Sequence, residues 1–81
     1  MEIKVLGPGC KNCKTLERDV QKVVGEMGIA ATVLKIENPR QIVEMGVMAT
    51  PGLIINGKIK STGRIPKSEE IARWIREEQN N

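Results

Sequence analysis

The spacing of apolar residues changes several times along this chain, and each change marks a structural element. Ile3, Val5 and Leu6 form a short apolar run that stops at Gly7-Pro8-Gly9, a group of turn formers that ends a strand. Cys13, Leu16, Val20, Val23, Val24 and Met27 then follow at helical spacing, which draws one apolar stripe along a helix closing at Gly28. Residues 31–36 are rich in apolar and β-branched residues and too few for a helix, so they read as a second strand. Asn38-Pro39 is a helix start, with Asn38 as N-cap and Pro39 at the first helical position, and Gly46 is expected to close that helix after about two turns carrying Ile42, Val43 and Met45.

The second half reads differently. Leu53-Ile54-Ile55, Asn56-Gly57 and Lys58 to Thr62 form a β-hairpin, because Asn-Gly accepts the positive φ angles of a two-residue turn. Gly63 ends the strand, and Ile71, Ala72, Trp74 and Ile75 draw the apolar face of a closing helix over 66–78. The order is β-α-β-α-β-β-α. Strands one and two, joined through a helix, are expected to be parallel. The unbroken run at 53–55 suits a strand covered on both sides. The fold class is therefore α/β: a four-stranded mixed sheet flanked by three helices, with at most about eight or nine core aliphatics on each face.

Composition narrows what such a domain can do. At 81 residues it is expected to be a single domain spanning 1–81, near the lower limit for a fold held by its core alone. Phe and Tyr are absent and Trp74 is the one aromatic residue, so the core is aliphatic and there is no platform for stacking bases. Thirteen basic and ten acidic residues are interleaved, giving +3 without a basic block. A nucleic-acid partner is not expected. The first residues lack a basic segment followed by a long apolar one, and no stretch is long enough to span a bilayer, so a cytoplasmic monomer without a membrane partner is the expectation. The tail Gln79-Asn80-Asn81 is expected to fray.

Both cysteines, Cys10 and Cys13, stand at the start of the first helix. Two cysteines are too few for a secreted disulfide scaffold, and a loop across two residues stabilises little by chain entropy. A helix N-terminus does favour a thiolate at Cys10, and Lys11 and Lys14 add positive charge around it and Asn12. Cys13, one turn further in and on the core stripe, is placed to resolve a mixed disulfide. A closed zinc site would need a second chain, since the sequence has two cysteines and no histidine. Two-coordinate copper(I) suits two thiolates, so a metal-carrying role remains the alternative to redox chemistry.

Ala49-Thr50-Pro51-Gly52 precedes the third strand, where proline's missing N–H is tolerated. Taken together, Cys10-Lys11-Asn12-Cys13 at the first helix, Thr50-Pro51 before a hairpin, Asn56-Gly57 at its turn, Gly63 after it and the closing helix resemble the thioredoxin and glutaredoxin superfamily over nearly the whole chain. The short length and the Gly-x-Gly-Cys-x-x-Cys opening look most like its small archaeal and bacterial redox-active disulfide proteins. The resemblance implies a thioredoxin fold and a thiol-disulfide oxidoreductase, with Cys10 as nucleophile and Cys13 as resolving cysteine. It also implies a cis Thr50-Pro51 peptide facing the disulfide, with Thr50 offering strand-like hydrogen bonds to substrate. Lys11, Asn12 and Lys14 would modulate the pair, and no cofactor or metal beyond the Cys10-Cys13 disulfide is implied. The expected partners are disulfide-containing proteins and an external reductase. Gly9 stands where thioredoxins carry Trp, and Lys11-Asn12 stand where they carry Gly-Pro. The first strand's polar residues are Glu2 and Lys4, so proton transfer is left to water.

Overall fold

The structure, a computed structural model, describes residues 1–80. In chain order it runs β1 (Glu2–Leu6), α1 (Lys11–Met27), β2 (Thr32–Ile36), α2 (Pro39–Glu44), β3 (Gly52–Ile55), β4 (Lys58–Thr62) and α3 (Ser68–Gln79). The strands lie in the order β2-β1-β3-β4. β1 pairs in parallel with β2 and antiparallel with β3, and β3 pairs antiparallel with β4. This is the expected α/β architecture of four strands and three helices.

Strand alternation divides the core into two layers. Ile3 and Val5 of β1 and Leu53 and Ile55 of β3 join Leu16, Val20 and Val23 of α1 and Ile71 and Ile75 of α3 in one cluster. Leu6 and Ile54 point the other way and meet Ile42 and Val47 in a cluster of four. The second layer is far smaller because α2 has only six residues and covers one end of its sheet face. At the uncovered end Lys4 and Glu2 pair at 3.4 Å, and Leu34 and Ile59, in register with Lys4 and Ile54 respectively, stay partly exposed.

Several boundaries differ from the sequence reading. α2 ends at Glu44 with Met45 as its cap, and Gly46, at φ +87, follows the cap. β2 starts at Thr32, and the stripe residues Val24 and Met27 pack at the margin of the core. Gln79 is helical, with Asn80 as the C-cap of α3, and Asn81 of the expected frayed tail lies outside the described residues. Trp74 is half-buried against the larger core. The hairpin turn is as expected, with Asn56 at φ 50 and Gly57 at φ 81. β4 carries an irregularity, since Leu53 pairs with Ser61 and Ile54 with Ile59, leaving Lys60 as an extra residue. Lys60 Nζ meets Glu78 Oε2 at 3.0 Å and Lys58 Nζ meets it at 3.4 Å. The Glu78 side chain is 4% exposed, so two lysines of β4 compensate a charge buried near the end of α3. The Lys60 hydrogen bond first, and then Lys58, hold its carboxyl below the usual range against the opposing effect of burial.

α3 begins at Ser68 and not at Pro66 because an acid fixes the start. Glu70 Oε1 accepts the backbone N–H of Lys67 at 3.0 Å, and both carboxylate oxygens accept from Arg64, at 2.9 and 3.1 Å. The Arg64 hydrogen bonds, followed by the Lys67 N–H, hold the Glu70 carboxyl down at about 2 from an ordinary 4.5. A depressed carboxylate stabilises the fold fully above its unfolded value and loses that contribution as pH falls through its folded value. Glu70→Gln is therefore expected to lower the unfolding temperature at neutral pH by an amount that shrinks from about pH 4.5 and vanishes near pH 2. Thermal melts of both proteins across that range, at low salt because the pair is partly exposed, check this.

Candidate active site

Buried Ile3, Val5 and Leu6 anchor β1 in the centre of the sheet, and the strand delivers the chain to one of the sheet's ends. There the Gly7 N–H donates to Ile36 O at 2.8 Å, extending the β1–β2 ladder by one bond. Pro8 and Gly9 then turn the chain into α1, whose N-cap is Cys10. Cys10 has extended backbone angles, φ −67 and ψ 167, and its Sγ accepts the Cys13 N–H at 3.2 Å. A cysteine thus occupies the place usually taken by a serine or aspartate cap, and its sulfur faces the unpaired N–H groups of the helix start.

Cys10 and Cys13 form a disulfide, with Cα atoms 5.0 Å apart. The two sulfurs are not equivalent. Cys10 is exposed, whereas Cys13 is 5% exposed on the buried stripe of α1. Lys11, Asn12 and Lys14 are all exposed, and the first turn of α1 contains no acidic residue. The helix terminus favours an anionic sulfur at Cys10 and Lys11 and Lys14 add positive charge on the same turn, while the Glu37 carboxylate beside Gly9 opposes them.

Thr50-Pro51 is a cis peptide, with Thr50 exposed and Pro51 buried. Pro51 O accepts the Gly63 N–H at 2.9 Å, which ties the segment to the end of β4. Gly7 connects this segment to the cysteines. A Cβ placed on Gly7 would overlap Cys13 Sγ, lie 2.9 Å from Cys13 Cβ and sit 3.9 Å from Thr50 Cβ. The space a side chain would take at Gly7 is therefore filled by the inner sulfur on one side and bordered by Thr50 on the other. Cys10, Cys13, Thr50 and Pro51 are brought to one place, with Lys11, Asn12 and Lys14 on its helical rim.

Sequence reasoning missed two residues here. It read Gly7 as a turn former, whereas Gly7 is the point of closest approach between strand and disulfide. The only available signal was a glycine immediately after a strand and two residues before Gly9, and that pattern has many causes. The second is Glu37, whose Oε2 lies 3.2 Å from where a Gly9 side chain would start. Its carboxylate comes from the end of β2, which β1 brings alongside. Among the described residues no group of three or more His, Cys, Asp or Glu side chains is placed to hold a metal ion. A polar depression of about 440 Å³ lies at the other end of the sheet, by Met1, Asn56 and Glu78, away from the cysteines.

The family described as Thioredoxin domain matches residues 1–76. A thioredoxin of Methanothermobacter thermautotrophicus is 42% identical over 75 residues, covering 93% of this chain and 97% of that protein. A thioredoxin of Methanocaldococcus jannaschii is 38% identical over 69 residues, covering 85% and 79%. Among solved structures, thioredoxin 1 of Thermosipho africanus superposes over 100% of both chains with a TM-score of 0.61 at 24% identity, a likeness of fold.

Proposed function

The chain belongs to the thioredoxin family and is a thiol-disulfide oxidoreductase, and from that premise we propose a division of labour among its site residues. Cys10 is the nucleophile and Cys13 the resolving cysteine. In the reduced protein the Cys10 thiolate attacks one sulfur of a substrate disulfide, forming a mixed disulfide and releasing the first substrate thiolate. The Cys13 thiolate then attacks Cys10 Sγ, the mixed bond breaks, and the second substrate thiolate leaves as the Cys10–Cys13 bond forms. Two electrons pass to the substrate, and water supplies the protons the released thiolates take up. An external reductase returns the pair to the dithiol, so the protein acts as an electron carrier whose one redox group is its own disulfide.

The observation that carries this reading is the unequal burial of the bonded pair: an exposed sulfur capping the helix, an enclosed one a turn inside. In the proposed complex Thr50 offers its backbone to an extended substrate segment, Pro51 holds that segment's approach, and Lys11, Asn12 and Lys14 tune the site. The substrates are disulfide-containing proteins, and the protein works as a cytoplasmic monomer. No helix among the described residues is long and apolar enough to cross a membrane.

Insulin reduction coupled to a dithiol reductant, with thiol titration and metal analysis of freshly purified protein, tests the proposal. The expected result is catalysis above the reductant alone, two titratable thiols appearing on reduction, and no stoichiometric metal. Tightly held copper or zinc with no catalysis would instead support a thiolate metal carrier.

A further inference from the structure

The fold brings to the disulfide loop a carboxylate that the proposed division of labour does not use. Glu37 follows directly on β2, and the chain on both sides of it is fixed. Ile36 O accepts the Gly7 N–H at 2.8 Å, and Asn38 caps α2 by accepting the N–H groups of Arg40 and Gln41 at 2.9 and 3.2 Å. From this position Glu37 Oε2 reaches to 3.2 Å from where a Gly9 Cβ would stand. Gly9 has φ +88, where a side chain is strained, so the space stays open to the carboxylate, next to the residue that carries the N-cap sulfur. Glu37 is exposed and joins no ion pair among the described residues. The bases nearest to it in sequence, Lys35 and Arg40, go to Glu17 at 3.7 Å and Glu44 at 3.9 Å instead.

We infer that Glu37 sets the reducing strength of the Cys10–Cys13 pair: its carboxylate disfavours the Cys10 thiolate, shifts the balance from dithiol toward disulfide, and so makes the protein a stronger electron donor. The inference rests on Cys10 being the nucleophile and adds control of its poise. The other charges at the site act in the opposite sense or are already engaged. Lys11 and Lys14 lie on the first turn of α1, which has no acidic residue. The turn Gly7-Pro8-Gly9 and the segment Ala49-Thr50-Pro51-Gly52 carry no ionisable side chain. β2 and α2 contribute Lys35 and Arg40, each with its own carboxylate partner. A helix start and two lysines on their own would stabilise the thiolate, and with it the dithiol, which makes a disulfide more oxidising. Glu37 offsets that tendency, as suits a protein that gives electrons to substrate disulfides. It touches no reacting atom and acts through the field at Cys10, as a positioning residue.

Two measurements on Glu37→Gln test this, and they must agree. In the Cys13→Ser background, the midpoint of the iodoacetamide alkylation rate against pH is expected to fall by roughly half a pH unit when Glu37 becomes Gln. With both cysteines present, the redox equilibrium is measured against glutathione: as the Cys10–Cys13 bond forms, two electrons and two protons pass to one glutathione disulfide, which yields two glutathione thiols. Well below both alkylation midpoints Cys10 keeps its proton in either protein, and the two equilibria are expected to coincide. Above them Glu37→Gln is expected to favour the reduced form by roughly threefold, the factor that half a pH unit represents. Both effects are expected to shrink in about 1 M salt, where the Debye length is about 3 Å. Glu37→Asp, which keeps the charge, is expected to stay close to the wild type. Glu26→Gln removes an equal charge from the far end of α1, roughly 24 Å along the helix from Cys10, and is expected to change neither measurement. An unshifted midpoint in Glu37→Gln, or a redox change of the same size at every pH, would overturn the inference, the latter because it would show altered packing in place of altered charge. Ready alkylation of Cys10 with an unshifted midpoint removes the role of Glu37 and leaves the nucleophile standing, while preferential alkylation of Cys13 in the wild-type dithiol removes both.

Discussion

Cys10→Ser is expected to abolish turnover of protein disulfides, by roughly a thousandfold or more, and Cys13→Ser to leave the first attack intact while trapping the partner. The difference follows from burial and position. Cys10 Sγ is the exposed N-cap sulfur facing the Cys13 N–H, while Cys13 is 5% exposed beneath it. In Cys13→Ser the Cys10 thiolate still forms the mixed disulfide, but no second sulfur is available to release the product. A covalent adduct therefore accumulates and is read directly by mass spectrometry. Alkylation against pH gives a second readout on the same two proteins. Cys10 in Cys13→Ser is expected to react with iodoacetamide at pH values below the ordinary thiol midpoint of about 8.5. Cys13 in Cys10→Ser is expected to react slowly throughout, because the core encloses it. Equal alkylation of the two sulfurs, or adducts on Cys13 in place of Cys10, would reverse the assigned roles.

Much of this arrangement was legible in the sequence because the relevant signals are local. The Asn56-Gly57 turn, the Asn38-Pro39 helix start and the apolar stripe from Cys13 to Val23 each depend on residues within a few positions of one another. The placement of Cys10 at a helix terminus and Cys13 a turn inside followed from the same stripe. What escaped depends on chain segments far apart. The extra residue at Lys60 is explained by a carboxylate 18 positions away on α3, and no pattern in β4 announces it. The start of α3 at Ser68 comes from Glu70 holding both Arg64 and the Lys67 backbone, which apolar periodicity does not register. The small second core reflects an α2 of six residues, too short to cover the sheet face evenly. Gly7 belongs to the same class, since its importance appears only when β1, α1 and the Thr50 segment are assembled.

Gly7→Ala is accordingly expected to have the largest effect of any single-methyl change at the site. The added Cβ would overlap Cys13 Sγ and approach Cys13 Cβ to 2.9 Å, closer than packed carbon atoms tolerate. Neither side can yield easily. Gly7 is held by its N–H bond to Ile36 O at 2.8 Å, and Cys13 is held by the first turn of α1 and by the disulfide. Overpacking of this kind costs about 1–3 kcal/mol, and in a domain of this size each kcal/mol lowers the melting temperature by about 4–8 °C. The cost is not the same in the two redox states. With the disulfide formed, the inner sulfur is fixed against Gly7, whereas in the dithiol the Cys13 side chain is free to rotate its sulfur away and relieve the nearest overlap. The oxidised protein is therefore expected to lose more stability than the reduced one, and by linkage the disulfide becomes easier to reduce. Thermal melts of both redox forms, with the dithiol–disulfide equilibrium measured against a defined thiol buffer, test the two statements together. Equal destabilisation of both forms with an unchanged redox equilibrium would mean that the methyl group displaces β1 or α1 as a whole, and that Gly7 shapes the fold without acting on the sulfur.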